Sequence, residues 1–114
     1  MRIQQAKDPK NLTSFEQEHL PWILVPDFIK KGEEFEVVVK VGEVDHPMCP
    51  SHYVKWISLC DDKGLIKKVK LNHSNLSEAR FKISLDKDTE IKAREECNLH
   101  GVWESSKKII LYRG

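Results

Sequence analysis

Apolar side chains at every second position are the feature that most restricts what this chain can fold into. They recur in this way from Phe35 to Val41 and again from Phe81 to Leu85. Successive side chains of a strand point to opposite faces, whereas an amphipathic helix needs a period near 3.6. Both segments are therefore predicted to be β-strands with one buried face.

Turn-forming residues such as Pro26, Gly42 and Gly64 separate these segments from other apolar runs. The predicted strands are Trp22–Val25, Phe35–Val41, Tyr53–Cys60, Leu65–Leu71, Arg80–Asp86, Glu90–Glu96 and Lys107–Tyr112. About seven short strands at roughly ten-residue spacing, without a long helix, indicate an all-β fold, an antiparallel β-sandwich.

The first residues lack such a pattern. Residues 1–14 are polar, so we predict a loose N-terminal arm on a single domain that covers residues 1–114. Thr13 or Ser14 can cap a short helical turn through Phe15–Glu18. Pro21 discourages that turn from continuing, which predicts that His19 lies on a loop entering the first strand.

Composition excludes several classes of function. Lys and Arg total 19 against 18 Asp and Glu, a net charge of +1, whereas nucleic-acid binders usually have a clear basic excess. No apolar run approaches the roughly 20 residues that span a bilayer, and the start has no signal-like apolar segment. Three cysteines form no disulfide framework, so a soluble, cytoplasmic protein is expected.

The residues most suited to chemistry are a thiol and several imidazoles. Cys97 and His100 are three positions apart, and Gly101 behind them suits a tight turn. Such a pair is half a metal site, because transition metals usually take four or more ligands. His19, His46 and His52 are the candidates for the rest, while His73 lies among Asn and Ser residues and is expected to be solvated.

Three blocks together resemble a known family. Residues 46–52 read His-Pro-Met-Cys-Pro-Ser-His and precede Val-Lys-Trp-Ile at 54–57, residues 97–104 read Cys-Asn-Leu-His-Gly-Val-Trp-Glu, and residues 19–21 read His-Leu-Pro. In this order they resemble the superoxide reductases of the desulfoferrodoxin family, in the single-iron neelaredoxin-type form. The resemblance runs roughly from Phe15 to Leu111.

The resemblance implies an immunoglobulin-like seven-stranded sandwich that holds one mononuclear Fe²⁺/Fe³⁺ ion. It implies four equatorial imidazoles and one axial thiolate, with superoxide binding opposite the sulfur; the implied ligands are His19, His46, His52, His100 and Cys97. The implied activity is the one-electron reduction of superoxide to hydrogen peroxide. The electron comes from an external donor, usually rubredoxin, and related single-iron enzymes are often homotetramers. This chain has neither the length nor the cysteines for the rubredoxin-like domain of the two-iron members.

One position departs from the family. The family commonly has Glu-Lys-His-x-Pro, in which the glutamate caps the ferric iron and the lysine draws in superoxide. Here Gln17 and Glu18 precede His19, and no lysine is adjacent to it. We hypothesise that Glu18, or Glu16, reaches the ferric iron as a sixth ligand.

Two other classes of function are alternatives. A non-catalytic β-sandwich could hold structural zinc or iron at the same residues, because closed zinc sites use the same side chains. An immunoglobulin-like adhesion module is disfavoured, because the Cys, Trp, Cys arrangement typical of such domains is not convincing here.

Overall fold

The computed structural model describes residues 2–43 and 46–113. The elements are β1 (Ile3–Gln4), α1 (Ser14–His19), β2 (Pro21–Leu24), β3 (Phe35–Val41), β4 (Val54–Asp61), β5 (Gly64–Lys70), β6 (Glu78–Ile83), β7 (Thr89–Cys97) and β8 (Gly101–Ile109). All seven predicted strands are present, most with ends within one or two residues of the prediction.

The strands form two sheets. The larger has the order β1-β8-β7-β4-β5 and the smaller has the order β2-β3-β6. Among the named strands of the described residues, β1 pairs with β8 in parallel and every other pairing is antiparallel. The prediction of an all-β sandwich is thus confirmed. Strand β4 is internal, and β5 is an exposed edge strand.

The core lies between the two sheets. Val37, Val39 and Val41 of β3 are at most 1% exposed, and Phe81 of β6 is directly opposite Val37. Ile57 and Leu59 of β4 are fully buried on the other sheet. These are the apolar positions of the alternating pattern, so burial of one face explains the period of two.

The sequence prediction fails for the N-terminal arm and the last strand. Ile3 and Gln4 pair with Val102 and Trp103, so part of the predicted loose arm belongs to the larger sheet. Strand β8 begins at Gly101 rather than Lys107, because it pairs with β7 from the Cys97–Gly101 contact onwards. Polar residues at 104–106 hid this strand, since ladder hydrogen bonds join backbone groups whatever the side chains are.

The short helix extends one residue beyond the predicted turn, Phe15–Glu18, at each end. Thr13 is the N-cap, its side chain accepts the Glu16 N–H, and the Glu16 carboxylate accepts the Thr13 N–H in return. This capping box satisfies two helix-terminal N–H groups. The helix continues to His19, which therefore lies at a helix end and not on a loop. Within the described residues, no helix has the length and hydropathy needed to cross a bilayer.

Candidate metal centre

Helix α1 delivers the first imidazole. His19 is fully buried at the last helical position, and its Nδ1 lies 2.8 Å from the Phe15 carbonyl oxygen one turn earlier. A carbonyl oxygen only accepts, so Nδ1 carries the proton and donates. The unprotonated Nε2 is left to face the interior, which is the tautomer that a metal ligand needs.

The connection between β3 and β4 delivers two more imidazoles. His46 is 3% exposed, and its Nδ1 donates to the Pro47 carbonyl at 2.7 Å, so its Nε2 is also unprotonated. Cys49 and His52 exchange two backbone hydrogen bonds around Pro50 and Ser51. This tight turn directs His52 back towards His46, and their ring centroids are 4.7 Å apart.

The β7–β8 hairpin delivers the thiol and the fourth imidazole. Cys97 ends β7 and pairs with Gly101, which begins β8 with φ +84°. Glycine adopts that left-handed conformation without strain, which permits a turn of only three residues. Cys97 is 1% exposed, and the half-buried His100 lies within the turn with its Nδ1 3.7 Å from the sulfur.

These segments converge at one point. The ligand atoms of His19, His46, His52 and Cys97 all lie within 4.8 Å of one another. His100 is outside this group of four, but its Nδ1 is 3.0 Å from His19 Nε2. Two nitrogens that each lie about 2.1 Å from one ion, at a right angle, would be about 3.0 Å apart.

The buried nitrogens fit a metal ion. His46 Nε2 and His52 Nε2 are buried without a hydrogen-bond partner among the described residues. Unpartnered buried polar atoms are uncommon, because each forfeits its hydrogen bond to water. Two such atoms beside a buried thiol form a donor set of the type that transition metals bind.

Burial also sets the protonation of the candidate ligands. Desolvation lowers the pKa of His46 to about 4 and lowers the pKa of His19, so both rings are neutral at physiological pH. Burial raises the pKa of the Cys97 thiol, while hydrogen bonds from the Leu99 and His100 backbone N–H groups oppose that rise. Those N–H groups therefore favour the thiolate, the form that binds metal.

Two aromatic rings cover the histidines. The Phe15 ring contacts His19 and His100 with centroid distances of 4.5 and 4.7 Å, although Phe15 is 43% exposed. The buried Trp103 stacks on His19 at 5.2 Å, and its indole N–H donates to the His100 carbonyl. Sequence reasoning missed Phe15, whose spacing of four residues before His19 on a capped helix was the available signal.

The two acidic candidates before His19 differ in environment. Glu16 is buried, and its two oxygens accept the Thr13 and Lys7 backbone N–H groups at 2.9 and 3.1 Å. The capping role therefore occupies Glu16. Glu18 is exposed, and its charge acts to raise the pKa values of His19 and His46, partly offsetting desolvation.

A third acidic residue lies behind the site. Glu95 points into the sandwich two positions before Cys97, is fully buried, and has Ile57 and Trp103 as cross-strand neighbours. Desolvation raises the pKa of Glu95 to about 9. Its carboxyl group is therefore neutral at pH 7 in the metal-free protein. The available sequence signal was the alternation in β7, because Glu95 lies on the same strand face as Ile91, Ala93 and Cys97.

Fold and site together define a small β-sandwich metalloprotein with a histidine- and cysteine-rich centre. The family model described as desulfoferrodoxin matches residues 11–106. The chain belongs to the desulfoferrodoxin family.

Relatives of known name are similar to this chain in sequence and in structure over most of its length. The superoxide reductase of Thermococcus kodakarensis is 35% identical over 100 residues, covering 78% of this chain and 84% of that protein. The desulfoferrodoxin of Nitratidesulfovibrio vulgaris is 45% identical over 81 residues, covering 71% of this chain and 60% of that protein. The solved structure of the superoxide reductase (neelaredoxin) from Ignicoccus hospitalis has a TM-score of 0.73 at 29% identity, covering 82% of this chain and 81% of that one.

Proposed function

We propose that this chain is a superoxide reductase that adds one electron to superoxide and releases hydrogen peroxide. The observation that carries the proposal is the convergence of three imidazoles and a thiol, from three separate segments, within 4.8 Å. The chain acts as a single iron-binding domain over residues 1–114, with one iron ion. Two protons and one electron convert each superoxide anion to hydrogen peroxide, so every turnover consumes one electron from outside.

The proposed ligands are four imidazoles and one thiolate: His19, His46, His52, His100 and Cys97. The distance of 3.0 Å between His19 Nε2 and His100 Nδ1 supports His100, since two nitrogens bound to one ion at a right angle lie about this far apart. Five protein ligands would leave a sixth position for a small molecule, which a closed four-ligand zinc site does not offer.

The residues around the centre prepare it for an anionic substrate. Iron, when bound, supplies the one-electron chemistry, and four neutral imidazoles with one thiolate leave the centre a net charge of about +1. Desolvation keeps His19 and His46 neutral, so they add no positive charge of their own. The Leu99 and His100 N–H groups share the charge of the Cys97 sulfur and thereby limit how much of it the sulfur donates.

The assay that tests this activity follows superoxide consumption with and without a reductant. A reductase consumes about one donor electron per superoxide and yields peroxide without dioxygen. Dismutation requires no donor and yields dioxygen, so donor-independent turnover at the full rate would contradict the proposal. Rubredoxin is the proposed donor, from family resemblance, and the cytoplasm is the proposed location, because the three cysteines form no disulfide framework.

Glu18 is proposed as the sixth ligand of the ferric state. It is the exposed acid beside His19, and Glu16 is engaged by two backbone N–H groups. We expect Glu18→Gln to shift the thiolate-to-iron absorption band of the ferric protein and to remove its dependence on pH. The matched control is Glu90→Gln, which changes an exposed glutamate in β7. Identical ferric spectra for Glu18→Gln and wild type at every pH would exclude Glu18 as a ligand.

A non-catalytic metal site is the second candidate function. The group of three histidines and one cysteine is also a possible closed set for tetrahedral zinc. Metal analysis of natively purified protein separates the two candidates. About one iron per chain and a blue colour on oxidation are expected for the reductase, whereas zinc gives no charge-transfer band.

A further inference from the structure

Asn98 connects the two chain segments that hold His52 and Cys97. Its side-chain oxygen accepts the Tyr53 N–H at 2.8 Å, and its side-chain nitrogen donates to the Ser51 carbonyl at 3.1 Å. Its own backbone N–H donates to the Tyr53 carbonyl at 3.1 Å. One residue thus makes three hydrogen bonds to the residues on either side of His52.

These bonds continue the contact between the β4 and β7 chain segments beyond the last ladder pair of the two strands. Strands β4 and β7 pair as far as Val54 and Cys97, with a register irregularity between Val54 and Trp56. Beyond that pair, the Cys49–His52 turn diverges from the ladder. The amide of Asn98 has both an acceptor and a donor, so it substitutes for backbone groups that no longer face each other.

The exposed position of Asn98 means that its side chain contributes little to the stability of the fold. Asn98 is exposed and packs no part of the core. Exposed hydrogen bonds of this type contribute little to folding. The two side-chain bonds, in contrast, join Asn98, which directly follows Cys97, to both chain neighbours of His52.

We propose that Asn98 is a positioning residue that holds His52 at ligand distance from the Cys97 sulfur. The proposal rests on the proposed function, because it takes His52 and Cys97 as ligands of one iron. Residues that orient metal ligands typically change metal affinity by about 10- to 100-fold when they are replaced. The Asn side chain can accept the Tyr53 N–H and donate to the Ser51 carbonyl at the same time, whereas an aspartate could make only the first of these bonds.

The test measures how fast the iron-loaded protein releases iron to a chelator, together with the ferric thiolate-to-iron absorption band. Asn98→Ala removes both side-chain bonds, and we expect iron release to be about tenfold faster with a shifted band. Asn98→Asp retains the bond to the Tyr53 N–H and is expected to release iron at an intermediate rate. The matched control is Asn75→Ala, which removes an exposed side-chain bond within the β5–β6 loop.

The outcomes separate this inference from the function on which it rests. The positioning role would be overturned, and the reductase proposal left intact, if both Asn98 variants matched wild type. A match means an iron-release rate within twofold of wild type and an unshifted absorption band. Equal acceleration in Asn75→Ala would also overturn it, because loop loosening would then suffice. A wild-type protein that holds zinc and gives no band would overturn the reductase proposal. The Asn98 variants would then be tested by their rates of zinc release.

Discussion

The ligand side chains depend on backbone carbonyls that decide which ring nitrogen is free. His19 and His46 both donate Nδ1–H to nearby carbonyls, and both therefore present an unprotonated Nε2 to the interior. Desolvation keeps the rings neutral. The donor set is consequently prepared before metal binds, which reduces the reorganisation that binding requires. The carboxyl group of Glu95 is also fully buried, and desolvation also determines its protonation.

Glu95 makes the stability of the metal-free protein depend on pH. Its pKa is about 9 in the folded state against an ordinary value of 4.5, so the folded chain retains a proton that the unfolded chain loses. Stability therefore decreases as pH rises between those two values, by roughly 1 kcal/mol per pH unit. Glu95→Gln cannot titrate, and we expect it to remove this slope. Denaturant unfolding of the metal-free protein at pH 7.5 and pH 8.5 measures the difference, because His19 and His46 are neutral in both the folded and the unfolded chain above the ordinary histidine pKa of 6.5.

The control for Glu95 is Glu36→Gln, which changes a glutamate in an exposed ion pair with Arg80. Exposed pairs contribute little, so this variant should retain the wild-type slope. If wild type and Glu95→Gln lose stability equally between the two pH values, Glu95 is ionised in the folded protein and the assignment of a neutral carboxyl group is wrong.

At the scale of elements, a six-residue helix has to hold a buried ligand at its last position. Isolated helices of that length are not stable in water, so capping and packing must support it. The Thr13 and Glu16 capping box secures its start, and the Leu20 N–H bonds the Glu16 carbonyl at its end. The N-terminal arm adds the Lys7 N–H on the Glu16 carboxylate. The position of His19 is therefore set by contacts on both sides of the helix.

Thr13→Ala should weaken that support. Loss of an N-cap hydroxyl costs about 1 kcal/mol, and we expect the metal-free protein to lose this much stability. We also expect faster release of iron to a chelator, because His19 ends the same helix. Ser14→Ala is the matched control, since Ser14 is a neighbouring exposed hydroxyl at the first helical position. Equal losses in both variants would mean that the hydroxyl of Thr13 has no special role as a cap.

At the scale of the whole molecule, the metal centre lies where segments distant in sequence meet. Gln4 donates its side-chain N–H to the His100 carbonyl 96 positions away, at 2.8 Å. Several large apolar side chains remain exposed elsewhere; Phe28 is 74% exposed and is in edge contact with Tyr112. Clustered exposed apolar side chains are typical of surfaces that associate.

We propose that the protein is a homo-oligomer, and a homotetramer by analogy with related single-iron enzymes. Sedimentation equilibrium should then give about four times the chain mass of 13.3 kDa. Phe28→Asp places a charge among the exposed apolar residues, and we expect it to lower the mass if the Phe28–Tyr112 pair is buried between copies. His73→Asp, in an exposed polar loop, is the control. A mass of one chain for wild type would contradict the proposal.

The sequence by itself determined the sandwich, because one buried face imposes a period of two wherever a strand packs on a core. It also indicated the candidate ligands, through the spacing of Cys97 and His100 and through the resemblance of three sequence blocks to a known family. It did not indicate β1 or the true start of β8, because both depend on pairing with a partner strand.

Only the tertiary structure decided which ring nitrogen of His19 and of His46 is unprotonated. It also decided that Glu16 is engaged by backbone N–H groups while Glu18 is exposed, and that Asn98 joins the segments of His52 and Cys97. Each of these depends on a contact between residues far apart in the chain or on the orientation of a single carbonyl. Such contacts leave no periodic signal, because they arise once, after the sheets have packed.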